Sequence, residues 1–291
     1  MPGPTDFRSG CLTRRSFLEL AAPVALAWPL ASRAQAATKI PVAVQLYSVR
    51  ADCQANFDVA LEKVAAMGFA GVEFAGYYGY ADRPRELRAR LDALHLKAAG
   101  THIQLDTLRG DALKRTIDFH QAIGCAYLVV PNHPDVTNPE KSKAVADLFN
   151  EVAAKLKPLE MACGYHNHQG EFARDGGKTF WDLLAERTTK DVILQQDCGW
   201  TFAAGFDPVE YIQKYPGRTK TTHFKPTVKK DDTTHKAIIG LDSVDWKSVY
   251  AACALVGGTQ WIVVEQETYP DGRPAMECTK DSLAGLRKLI A

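Results

Sequence analysis

Side chains able to bind cations or move protons recur in this chain at the ends of short apolar runs, not along polar helix faces. In chain order they are Gln45 and Tyr47, Glu73, His102, Asn132 and His133, then His166, His168 and Glu171, Asp197 and Trp200, His223 and Lys225, and Glu265 and Glu267. Brought to one place, such groups form a mouth rich in oxygen and nitrogen donors and in general acids and bases. His223 and Lys225 are two residues apart in a β-rich run, so both side chains point to the same face of a strand. The cysteines play no part in this pattern. The six that follow residue 36, at 53, 125, 163, 198, 253 and 278, are scattered singly with no C-x-x-C pair, and read as small apolar fillers instead of a zinc or redox framework.

What must position these residues is a repeated unit. From residue 40 onward short β-rich runs alternate with longer stretches of helical period. The strand expectations are 42–47, 71–74, 97–102, 126–131, 162–167, 192–197, 220–225 and 261–265. Amphipathic stretches such as 57–67, 84–94, 113–123 and 141–156 are long enough to cross back over a parallel strand. Eight βα units in about 250 residues predict an α/β fold, a single (β/α)8 TIM barrel, whose active site lies where the strands end. A doubly wound open sheet would carry a Gly-rich phosphate turn after its first strand, and none stands there.

Residues 1–36 read as addressing information separate from the barrel at 37–291. Thr13-Arg14-Arg15-Ser16-Phe17-Leu18 sets twin arginines before an apolar run, and Ala34-Gln35-Ala36 supplies a small-residue cleavage site. The segment resembles a twin-arginine signal peptide, which implies the twin-arginine export machinery as a partner and a periplasmic or otherwise exported protein. The apolar run is shorter than the roughly 20 residues of a spanning helix and contains Pro23 and Pro29, so no stable membrane span is expected after cleavage. The segment carries Arg8, Arg14, Arg15 and Arg33 against Asp6 and Glu19. Removing it takes the chain from a net charge of +1 to about −1, a balance that gives no reason to expect nucleic acid as a partner.

The last four units carry a resemblance. Tyr165-His166-Asn167-His168-Gln169-Gly170-Glu171, Gln195-Gln196-Asp197-Cys198-Gly199-Trp200, Thr222-His223-Phe224-Lys225 and Val263-Val264-Glu265-Gln266-Glu267 are similar to motifs of the sugar isomerase/epimerase superfamily with xylose-isomerase-like barrels, which includes ketose 3-epimerases and inosose dehydratase-like enzymes. The resemblance implies one divalent metal ion (Mn, Co, Mg or Zn) on Glu171, Asp197, His223 and Glu265, with His166 and His168 as alternatives to Glu171 in the same segment. Three carboxylates and an imidazole suit such ions better than a thiolate site would.

By the same carry-over Glu171 and Glu265 act as the acid-base pair on opposite faces of a carbon next to a carbonyl. The implied activity is metal-dependent sugar isomerisation or epimerisation through an enediolate. Glu73, His102, His166, His168, Trp200 and Lys225 are the substrate-binding candidates, and the partner is a small sugar or glycoside. Two departures bear on the reaction. Pro226 follows His-Phe-Lys where the family often has Asp, and the double-histidine segment replaces the Asn-Arg-Phe-Glu type of loop. The second opens the alternative of a lyase or dehydratase acting on keto-sugars or 3-keto-glycosides. A periplasmic sugar-binding barrel that has lost catalysis is the reading from another class.

Overall fold

The computed structural model describes residues 39–291, together with Met1 and Gly3; the twin-arginine segment and its cleavage site lie outside the described residues. Eight parallel strands form the barrel: β1 (Val42–Gln45), β2 (Gly71–Phe74), β3 (Lys97–His102), β4 (Tyr127–Val130), β5 (Ala162–His166), β6 (Ile193–Gln195), β7 (Thr221–Phe224) and β8 (Trp261–Val264). Their order runs β6-β5-β4-β3-β2-β1-β8-β7, every pair parallel. The ring is closed by a single bridge, Asp197 to His223, with Leu194 N–H donating to Arg218 O (3.0 Å) and His223 N–H to Gln196 O (2.9 Å). This is the (β/α)8 barrel expected from the repeat.

The runs at 71–74 and 97–102 are strands over their whole expected length, and elsewhere the strands stop one or two residues early. The reason is chemical. At the ends of β1 and β6 the chain turns into a helix: Gln45, the last residue of β1, caps the turn Leu46–Val49 through Tyr47 N, and Asp197, just past β6, caps the helix Cys198–Ala203 through Trp200 N. The crossing helices Phe57–Met67, Pro84–Ala93, Gly110–Ile123 and Ser142–Leu156 bury one apolar stripe each against the strands, among them Leu61, Leu91, Ile123 and Phe149.

Two local features shape the barrel interior near the site. The β2–β3 register shifts between Val72 and Glu73, so that Glu73 comes opposite Gly100. A Cβ at Gly100 would lie 2.7 Å from Glu73 Oε1, so glycine is what lets a glutamate side chain fit inside the ring. At Gly199 a Cβ would meet Lys225 O at 2.2 Å, and its absence allows the helix after Asp197 to sit against the end of β7.

Candidate metal centre and surrounding cavity

Alternation along the strands sends one set of side chains into the barrel. At the carboxyl ends these are polar and buried: Gln45, Glu73, His166, Gln195, Asp197, His223 and Glu265. Four of them, His166, Asp197, His223 and Glu265, each offer one ligand atom, and these atoms lie within 4.8 Å of one another. Of the four ligands implied by the resemblance, the fold thus brings Asp197, His223 and Glu265 together. Glu171 is not in the group. It lies on the turn Gly170–Phe172, where its Oε1 accepts from the Tyr165 hydroxyl (2.9 Å) and its Oε2 from His168 N–H (2.8 Å). Both oxygens therefore tie down the loop after β5, and the end of β5 contributes His166, the alternative in the same segment.

Hydrogen bonds fix how each imidazole is presented. The Gln195 amide donates to Glu73 Oε1 (2.6 Å) and Thr221 Oγ1 (2.7 Å), so its oxygen must accept. It does so from His102 Nε2 (2.8 Å) and His166 Nδ1 (3.0 Å). His166 then keeps Nε2 as a lone-pair donor, 3.9 Å from Asp197 Oδ2. His223 uses Nε2 toward Glu73 Oε2 (2.5 Å), while Nδ1 faces Glu265 Oε2 (3.2 Å) and Asp197 Oδ2 (3.9 Å). A carboxylate behind a histidine whose other nitrogen faces the donor group is the arrangement that orients metal-bound imidazoles. Asp197 is held by its own backbone: Asn167 accepts from its N–H (3.0 Å) and donates to its carbonyl (3.3 Å).

The electrostatics agree with this geometry. Burial works against Glu73 and Glu265 ionising. In Glu73, His223 and His102 outweigh it, and in Glu265, Lys225 and His223 do, so both carboxyls are held below the usual range. Burial pulls His223 down, but Glu73 and Glu265 raise it to about 10, so a proton on His223 neutralises part of the cluster. Burial pushes Asp197 up to about 7 against the pull of Lys225. Its Oδ2 is buried with no hydrogen-bond partner. An unpaired buried carboxylate oxygen facing two imidazoles and a second carboxylate is costly unless a cation meets it, so these residues fit a divalent metal. Two nitrogens and two carboxylates are a donor set for borderline ions such as Mn2+, Co2+ or Zn2+.

Above the group lies a cavity of about 300 Å3 lined by Tyr47, His102, Asn132, His168, Glu265 and Glu267. Of the substrate-binding candidates, His102 and His168 line it. His166 belongs to the ligand group, and Glu73 lies below it, buried under His223, Gln45 and Gln195. His168 Nδ1 is buried without a partner, and burial, offset in part by Glu171 and Glu265, keeps the ring neutral. Lys225 pairs with Glu267, lies 3.6 Å from Glu265 Oε2, and sits 4.9 Å above the Trp200 ring. Gln195 was not singled out from sequence, yet it joins Glu73, His102 and His166. Its signal was its place two residues before Asp197, on the same face of the run.

A family model described as a xylose isomerase-like TIM barrel matches residues 61–289. Among curated proteins, an inosose dehydratase of Lacticaseibacillus casei is 24% identical over 255 residues, covering 75% of this chain and 84% of its own. A solved sugar phosphate isomerase/epimerase from Parabacteroides distasonis is 27% identical with a TM-score of 0.71, covering 85% of this chain and 98% of its own. An L-ribulose 3-epimerase has the same fold with a TM-score of 0.64 at 13% identity, covering 86% of this chain and 95% of its own.

Proposed function

This chain belongs to the xylose isomerase-like TIM barrel family, and on that premise we propose that it is a metal-dependent enzyme that removes a proton next to the carbonyl of a keto-sugar and expels an oxygen substituent from the neighbouring carbon. The observation that carries the reading is the buried His166, Asp197, His223 and Glu265 group at a cavity lined also by His168 and by Glu267, which pairs with Lys225 at its edge. His166, Asp197, His223 and Glu265 would hold the ion, which when bound polarises a carbonyl as a Lewis acid.

His168 is the base that this geometry favours, because its ring lines the cavity and burial keeps it neutral. Glu265 is the weaker candidate, since Lys225 and His223 stabilise its ionised form. Lys225 is the acid for a departing oxygen, and Glu267 keeps its ammonium in place. The hydrogen bonds that Glu171 accepts from Tyr165 and the His168 backbone favour a loop-holding role over that of the second glutamate of an epimerase-type pair. The name of the Lacticaseibacillus relative, a dehydratase, supports elimination in the same direction.

The test is turnover of a panel of keto-sugars and 3-keto-glycosides by metal-loaded protein in D2O, with products resolved by NMR. Loss of the β-oxygen substituent is the expected result, together with loss of turnover in His168→Asn at unchanged metal content. Deuterium incorporated with no substituent lost would replace elimination by epimerisation or isomerisation. Substrate binding with neither exchange nor turnover would leave a binding barrel.

A further inference from the structure

We propose that the group expelled is not water but a ring-bearing alcohol, and that it occupies a second cavity on the far side of the Lys225–Glu267 pair. This rests on the elimination reading above and adds to it the size and chemistry of the leaving group.

Beside the 300 Å3 cavity lies a groove of about 570 Å3 whose wall includes Trp200, Lys225, Pro226, Val228, Ala237 and Pro270. Glu267 belongs to the wall of the first and Lys225 to the wall of the second, and the two side chains form one ion pair, so the pair is the partition between them. Trp200 repeats the arrangement: its ring lies 5.6 Å from that of His168, which lines the first cavity, while Trp200 itself lines the second. A departing hydroxyl needs no space beyond the first cavity. A substrate with two rings joined through oxygen would place one ring over the ligand group, its linking oxygen at Lys225, and its second ring in the groove.

The chemistry of the groove fits that second ring. Trp200, Pro226, Val228, Ala237 and Pro270 give the groove apolar wall for a ring, and Thr227, Thr233, His235 and the Lys236–Asp271 ion pair supply polar contacts for its substituents. A phenol and a sugar alcohol share this description.

The step balances without an oxidant. The base takes the proton from the carbon next to the carbonyl, and that C–H pair becomes the new C=C bond. The bond from the next carbon to the linking oxygen breaks with its electron pair on oxygen. Lys225 Nζ gives that oxygen a proton, so an alcohol leaves, and Lys225 is reprotonated from water.

The experiment compares methyl, phenyl and glucosyl derivatives of one keto-sugar on the metal-loaded full chain and on Val228→Trp, whose larger side chain fills the groove. V228W should lower the kcat/KM of the phenyl or the glucosyl compound relative to the methyl compound by at least about tenfold, a comparison in which the intrinsically better leaving ability of phenoxide cancels. Which of the two is lowered tells an aromatic from a sugar leaving group. Ratios to the methyl compound that V228W leaves unchanged would overturn the groove while leaving elimination standing. Calorimetric titration with phenyl glucoside provides a readout independent of turnover. Binding at least about tenfold weaker in V228W and in Ala237→Phe supports the groove, and unchanged binding in both overturns it even if no compound is turned over.

Discussion

At the scale of single residues, the segment after β5 carries the sharpest consequence. His166 and Glu171 are five positions apart, and the fold brings only His166 into the ligand group. His166→Ala, Asp197→Ala and His223→Ala should each weaken metal binding by two orders of magnitude or more, since each removes one of four ligands. Glu171→Gln should retain stoichiometric metal and lose mainly the loop contact to Tyr165 and His168, at roughly 1–3 kcal/mol of stability. Metal analysis after dialysis, with urea denaturation on the same samples, separates the two effects. If E171Q loses its metal while H166A retains it, the assignment is reversed. Asp197, His223 and Glu265 were legible in the sequence because each sits at the end of an apolar strand, where the alternation rule fixes its direction. Glu171 lies beyond its strand on a short turn, where alternation says nothing about direction, and only the hydrogen bonds of the folded loop reveal what it holds.

At the scale of elements, the crossing helices were legible to within a few residues from their apolar stripes, whereas the polar contacts between helix and strand were not. The clearest of these is behind β3. His120, buried on the helix Gly110–Ile123, donates from Nδ1 to Thr116 O (2.6 Å) and accepts at Nε2 from the Tyr77 hydroxyl (2.6 Å), which also meets Thr101 Oγ1 (2.6 Å) on β3. Burial brings His120 down to about 4 from an ordinary value of 6.5. Its folded value lies below its unfolded one, so the unfolded chain gains the proton first. The stability this site contributes is complete above pH 6.5 and declines as the pH falls toward 4, by roughly 3 kcal/mol in all. The stability difference between wild type and His120→Gln, measured by urea denaturation at pH 7, 6, 5 and 4, should shrink by about that amount as the pH falls. A difference that stays constant over this range would show that His120 titrates alike in both states. Sequence could not supply this network, because its partners, Tyr77, Thr101 and Thr116, come from three separate elements and follow no common period.

At the scale of the whole molecule, two expectations concern segments that the strand and helix pattern does not link. Arg14-Arg15 with Ala34-Gln35-Ala36 leads us to propose export by the twin-arginine route, a step that requires the barrel to fold before it crosses the membrane. Replacing both arginines by lysine should keep the protein in the cytoplasm on fractionation, and unimpaired export of that variant would remove the assignment. No helix among the described residues is long and apolar enough to cross a membrane. The second expectation concerns the closure of the ring. Seven of its joints are laddered, while the eighth, between β6 and β7, rests on one bridge whose two residues are Asp197 and His223. A hoop with one light joint opens there first, and the proposed ion, held by both residues, would act as a rivet through it. At a free metal concentration a hundredfold above Kd, linkage adds about 2.7 kcal/mol against any opening that breaks the site. The His223 amide, bonded to Gln196 O, should therefore exchange with solvent deuterium about a hundredfold more slowly once the ion is bound, while amides on the far side of the hoop, in β3 and β4, change little. On the proposed route, a cytoplasm that supplies the ion would also decide how tightly the barrel is sealed before it crosses.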